Sequence, residues 1–146
     1  MKNKKDNKDK KDKKESKNGE IFNENVVKLA GKNDDFRRVL LTTELTQIVL
    51  MSIQPGEDIG EETHEGIDQI LSFVEGEGAA MIEGETSPVK AGSIVVVPAG
   101  KRHNFVNTGK EPLKLYTVYA PPDHKDGTVH RTKADALTDP NEQHED

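Results

Sequence analysis

Residues 60–69, "GEETHEGIDQ", crowd Glu61, Glu62, Glu65 and Asp68 around one histidine, His64, and end on an amide, Gln69. Such a stretch is either a solvated acidic loop or half of a cation site. Glu62 and His64 are two apart, so in extended chain their side chains leave the same face and can share one ion. Gln69 follows at an odd spacing, and Gly66 lets the chain bend so that Gln69, Leu71 and Phe73 turn toward the same interior. His103 opens "HNFVN", just past the turn "PAG". The chain has no Cys, which removes disulfides, thiolate nucleophiles and zinc–thiolate sites and leaves imidazole, carboxylate and amide groups as the available donors.

The elements that must position these residues read as strands. From Phe36 to Tyr119, runs such as "FRRVLLTT", "TQIVLMSI", "QILSFVEGEGAAMIEGE", "SIVVVPAG", "HNFVN" and "LKLYTVYA" alternate with turn-formers at short intervals. No helix-period segment of useful length interrupts them, so the expected class is all-β, a barrel or a two-sheet sandwich. Glycines in "VEGEGAAMIEGE" predict two hairpin connections, at 76–78 and 83–85. "TQIVLMSI" and "SIVVVP" are apolar at consecutive positions, which predicts cover on both faces and a homodimer. Helix is expected only as one turn in "NVVKLAG", ended by Gly31, and in "RTKADALTD", where Thr132 and Asp135 have capping-box spacing.

Two segments carry a family resemblance. Residues 92–107, "GSIVVVPAGKRHNFVN", match the pattern G-x5-P-x-G-x2-H-x3-N at Gly92, Pro98, Gly100, His103 and Asn107. Residues 56–76 follow G-x5-H-x-H-x3,4-E-x6-G with two departures: Glu62 stands at the first His and Gln69 at the Glu. Together, in this order, they resemble the two motifs of the cupin superfamily, and the segment is similar to the cupin domain of mannose-6-phosphate isomerase-like proteins. The resemblance implies a double-stranded β-helix, a jelly-roll-like barrel, holding a divalent metal through Glu62, His64, Gln69 and His103, and frequent dimers. Glu62, His64 and His103 form a two-His, one-carboxylate set, which suits Fe(II) and admits Mn, Ni, Co or Zn. Gln69 is either a fourth, weak oxygen donor or a partner of bound water or substrate.

The chain divides into a lysine-rich tract 1–18, a barrel domain 19–122 and an extension 123–146. The first tract holds nine Lys against three Asp and one Glu, a net of +5, so with −6 overall the remainder carries −11. With one Met as its only apolar residue the tract reads as a disordered, solvated tail. It lacks the apolar core of a secretory signal, which fits the cytoplasm. The acidic domain and the missing Arg–aromatic interleaving exclude nucleic acid as a partner, and no run is long enough to span a membrane. In the extension, "APPDHKDGTVHRTK" offers His124, Asp126 and His130; folded back over the barrel mouth, His124 or His130 would be a candidate acid/base, and otherwise the segment is surface. Its last residues, "DPNEQHED", are expected to fray. Lys101 and Arg102 could steer an anion, while Leu71, Phe73, Met81 and Phe105 are expected to line the barrel.

Two functions fit. One is a metal-dependent enzyme, isomerase-like or dioxygenase-like, acting on a small polar oxygen-rich substrate. The other is a non-catalytic cupin that binds a small molecule as a sensor or store.

Overall fold

A computed structural model describes residues 21–142, so the lysine-rich tract 1–18 and residues 143–146 lie outside the described residues. The expected strand runs form β1 (Arg37–Thr42), β2 (Gln47–Ile53), β3 (Asp68–Glu75), β4 (Glu77–Ile82), β5 (Glu85–Lys90), β6 (Ile94–Val97), β7 (His103–Asn107) and β8 (Leu113–Ala120). A two-residue β9 (Val129–His130) follows in the extension. All pairings are antiparallel, in a six-stranded sheet of order β6-β3-β8-β2-β1-β9 and a three-stranded sheet of order β5-β4-β7. The sheets face each other across one core that includes Val39, Met51, Leu71 and Leu115 from the first and Ala80, Val89 and Phe105 from the second. This is the all-β class that the strand rhythm implied, in the jelly-roll-like form that the resemblance implied.

Two helices complete the described chain, α1 (Val26–Lys32) and α2 (Lys133–Thr138), before a 3-10 turn over Pro140–Glu142. No helix among the described residues is long and apolar enough to cross a membrane. α1 runs through Gly31 to Lys32 and covers Leu40 and Leu50 on the outer face of the large sheet through Ala30. Lys114, on the same outer face, fastens it by donating to Gly31 O at 2.8 Å and Asp34 Oδ1 at 3.1 Å. α2 carries the expected capping box between Thr132 and Asp135. It is tied to the barrel by Lys133, which bonds the Asp58 carboxylate. The Asn104 amide bonds the same carboxylate and, with Lys133, holds it below the usual carboxylate range.

Three sequence expectations change. The first predicted hairpin is a corner instead: β3 pairs with β6 and β8 while β4 pairs with β5 and β7, so Gly76 carries the chain from one sheet to the other. The second is a true two-residue hairpin, with Glu83 at φ 50° and Gly84 at φ 84° and Ile82 opposite Glu85; both central residues have the positive φ of a primed turn. Met81 points outward at 42% exposure, because Ala80 takes the inward position. Strand β2 is covered on both faces as expected, but on β6 Ile94 and Val96 are 65% and 57% exposed.

Gly76 sits at φ 91°, and a Cβ there would lie 2.6 Å from Pro112 O and 2.9 Å from Leu113 Cα. Gly92 has a similar φ of 96° with open space around it. Gly76→Ala is therefore expected to cost roughly 3 kcal/mol or more, from strain plus a backbone clash, and Gly92→Ala only about 1 kcal/mol. Equilibrium urea unfolding of the two variants measures the difference, and equal costs would refute the crowding at the corner.

Candidate metal centre

Between β2 and β3 the chain runs alongside β7 without forming a full strand. Asp58 bridges Val106 and Glu62 bridges His103. Glu62 and His103 exchange both backbone hydrogen bonds, each 2.9 Å, so the two residues stand directly opposite and their side chains share a face. Two glycines allow this path. Gly60, at φ 111°, donates its N–H to Asn104 Oδ1 at 2.9 Å, and Gly66, at φ 74°, turns the chain into β3. His64 is held to the turn before β7 by its carbonyl, which accepts from Gly100 N at 2.9 Å. The outcome is one cluster: a ligand atom from each of Glu62, His64 and His103 lies within 4.8 Å of the others.

His64 and His103 are buried, and so is Gln69, which enters the same interior from β3. Glu62 keeps 23% of its side chain exposed and forms part of a cleft of about 360 Å³ with Glu61, Thr63, Glu83, Gly100 and Arg102. It is thus the member of the cluster that solvent reaches. Glu61, Glu65 and Asp68 are exposed, so the carboxylates of the acidic loop separate into one inside and three outside.

Hydrogen bonds define which atoms face the cluster. Glu62 Oε1 lies 3.1 Å from His64 Nε2. Burial alone would raise the Glu62 carboxyl, but the bond to His64 and the charges of His64, Arg37 and His124 outweigh it and hold the group below its ordinary value. His103 Nδ1 lies 2.9 Å from Lys101 O; a carbonyl only accepts, so the proton sits on Nδ1 and Nε2 carries the lone pair. Gln69 donates its amide N–H to Thr117 Oγ1 at 3.0 Å, leaving Oε1 as a buried acceptor with no hydrogen bond.

These residues fit a divalent ion. Metal–ligand bonds of about 2.1 Å put neighbouring donors about 3 Å apart, which the Glu62–His64 pair already matches at 3.1 Å. With the imidazoles neutral, the carboxylates beside His64 and His124, namely Glu62, Asp123 and Glu142, concentrate negative charge that a divalent cation would offset.

The extension builds the next layer. Gln47, buried at the start of β2, accepts from Asp123 N at 3.1 Å and His124 N at 2.9 Å and donates to His124 O at 2.7 Å. That places Asp123 Oδ2 3.8 Å from His64 Nδ1 and 3.5 Å from His124 Nε2. Glu142, from the 3-10 turn, bonds His124 Nδ1 at 2.6 Å, so the stretch expected to fray is anchored this far by a buried carboxylate. Tyr119 stands edge-on to both His64 and His124, with centroids 5.8 and 5.1 Å away, and burial pushes its phenol far above the ordinary value, so it stays protonated. His130 takes other partners, Arg37 and Asp139, and Asp126 is exposed. Sequence reasoning missed Gln47, Tyr119, Asp123 and Glu142. Only Gln47 carries a signal, as the polar residue that opens a largely apolar strand.

Replacing Gln47 by Leu would leave two buried backbone N–H groups without their acceptor, at a cost of roughly 2–4 kcal/mol. The expected result is faster amide exchange at Asp123 and His124 with β8 unchanged. Unaltered exchange at those two positions would refute this tether.

Four similarities to known proteins bear on this geometry. The cupin-domain profile matches residues 49–119, which contain Glu62, His64, Gln69 and His103. The chain is 45% identical over 120 residues to the uncharacterized protein YrkC of Bacillus subtilis, covering 77% of this chain and 64% of that protein. It is 34% identical over 68 residues to an oxalate-binding protein of Thermotoga maritima, covering 47% of this chain and 56% of that one. The crystal structure of BH2720 from Bacillus halodurans aligns with a TM-score of 0.82 at 42% identity, over 83% of this chain and 96% of that one. A domain profile that spans both halves of the site and a barrel that matches a relative along nearly its whole length lead to one assignment: the chain belongs to the cupin family.

Proposed function

We propose that this cupin holds one divalent metal through Glu62, His64 and His103 and acts as a metal-dependent enzyme on a small polar oxygen-rich molecule, by isomerase-like or dioxygenase-like chemistry. The observation that carries the reading is the convergence of three ligand atoms within 4.8 Å, two of them from buried imidazoles. Gln69 Oε1, buried and without a partner, is the fourth donor of the set, toward the ion or its bound water. Two imidazoles, a carboxylate and an amide oxygen suit Fe(II), Mn(II), Co(II), Ni(II) or Zn(II). When bound, such an ion polarises a chelating oxygen pair and, if it is Fe(II) or Mn(II), opens a route to O₂.

An enzyme also needs a group that moves protons, and the two sequence motifs contain no spare one. His124 supplies it in this reading. Glu142 accepts from Nδ1 at 2.6 Å, which makes Nε2 the basic nitrogen, and Nε2 is buried with no hydrogen bond. Tyr119, kept neutral, packs edge-on against both His124 and His64. The non-catalytic alternative, a small-molecule-binding cupin, draws support from the relative named an oxalate-binding protein.

Metal analysis of full-length protein purified without an affinity metal tests the site. Near-stoichiometric metal is expected in wild type and in His124→Ala, with loss in His64→Ala, His103→Ala and Glu62→Gln. Empty wild type, even after reconstitution with Fe(II), Mn(II) and Ni(II), would rule the metal out. Retained metal with abolished proton exchange of a bound substrate in His124→Ala separates the enzyme from the simple binder.

We also infer a homodimer, supported by the exposed Ile94 and Val96 on the apolar edge strand β6. Sedimentation velocity is expected to show a dimer that Val96→Glu converts to monomer, and a wild-type monomer at all concentrations would refute it.

A further inference from the structure

Arg37 is a buried cation with no carboxylate in ion-pair contact among the described residues. It lies on β1 at 4% exposure, opposite Met51 of the core on one side and His130 of β9 on the other, so it occupies the inner face of the large sheet. Its Nε is buried and makes no hydrogen bond. The guanidinium carbon lies 5.1 Å from the Phe36 ring centroid, and NH1 lies 3.4 Å from His130 Nδ1.

His130 is a rest for this group and supplies no charge to it. Arginine only donates, so His130 Nδ1 must carry the lone pair and Nε2 the proton, which goes to Asp139 Oδ2 at 2.8 Å. The Asp139 carboxylate in turn falls below its ordinary value, mainly through that bond. One corner of the guanidinium is thereby fixed while the buried Nε is left without an acceptor. A buried charge left this way is expensive unless something anionic meets it, and a planar two-donor edge matches the two oxygens of a carboxylate. Arg37 shares the inner face of the large sheet with Gln69 and Tyr119, the latter packed against His64, and its charge helps to lower the Glu62 carboxyl.

We propose that Arg37 is the anion-recognition residue of the barrel and that the ligand of the site is a small carboxylic acid, its carboxylate held on the unpartnered Nε side of the Arg37 guanidinium. The substrate class so named rests on the metal-site reading of Glu62, His64 and His103. His130 and Asp139 are positioning residues that hold the guanidinium in place. This assigns the extension a second task, because β9 and the residues after α2 supply the support for Arg37.

The test is calorimetric titration of full-length, Mn(II)-loaded protein with oxalate, malonate, succinate and lactate, with glycerol as the neutral probe and inorganic phosphate as the alternative anion. At least one acid is expected to bind more tightly than glycerol and phosphate. Arg37→Gln should weaken that acid by roughly 30-fold or more, the size of a hydrogen bond to a charged group, while metal content and glycerol binding stay the same. Arg37→Lys keeps the charge without the fork and should fall between, so it decides the question if the Gln variant does not fold. His130→Ala should give a smaller loss, about 3–10-fold. Acid binding indifferent to Arg37, equal losses for acid and glycerol, or phosphate binding tighter than every acid would each overturn the assignment. Failure of wild type to hold metal would instead refute the metal reading, and the same titrations on that metal-free protein would still decide the role of Arg37.

Discussion

The reciprocal backbone hydrogen bonds between Glu62 and His103 are the constraint on which the rest of the site depends. They fasten an irregular segment to the edge of the small sheet, and they set a carboxylate directly opposite an imidazole at the mouth of the barrel. Once Glu62 is placed there, His64 two residues on falls within hydrogen-bond distance of it. The chain path before and after is then a matter of two glycines with positive φ, Gly60 and Gly66, which let the segment after β2 run along β7, bridging it at Asp58 and Glu62, and return as β3.

The inner face of the large sheet has two characters. One row across it runs Phe73, Leu115, Met51 and Arg37, and two residues further along each strand another row runs through Leu71, Thr117 and Val49 to Gln69, Tyr119 and Gln47 beyond. The first row closes the core with apolar volume, apart from its terminal arginine. The last is polar but spoken for: Gln69 bonds Thr117, Gln47 bonds the extension, and Tyr119 lies between two imidazoles. Buried amides tolerate this because their donors find acceptors, and Gln69 Oε1 and His124 Nε2, two of the buried polar atoms left without a hydrogen bond, are where a ligand has something to meet.

The extension is integral to this interior. Asp123, His124, His130 and Glu142 are all withdrawn from solvent, and each contacts a residue of the barrel or of the extension itself through a charged or imidazole group. A polar segment after a last strand is ordinarily solvated, since it has no apolar face to drive it inward. Here Gln47 supplies the reason it is not: a buried amide that needs partners and finds them in the backbone of residues 123 and 124.

Strand rhythm, the turn glycines and the spacing within 56–76 and 92–107 were enough to read the barrel and to choose Glu62, His64, Gln69 and His103 from among many polar residues. Those features are local, with side-chain direction following from a period of two and turns from backbone freedom. The corner at Gly76, the outward turn of Met81 and the exposure of β6 were not legible, because which sheet a strand joins depends on pairings between residues far apart in the chain. The same holds for the second layer of the site. Gln47 and Asp123 are 76 positions apart, and Arg37 and His130 are 93 apart. Neither has a spacing that marks it, and only closure of the barrel brings them together. The sequence by itself determined a metal-suited cluster inside an all-β barrel; the tertiary structure alone decided what surrounds that cluster, because buried polar groups find their partners through packing and not through neighbourhood along the chain.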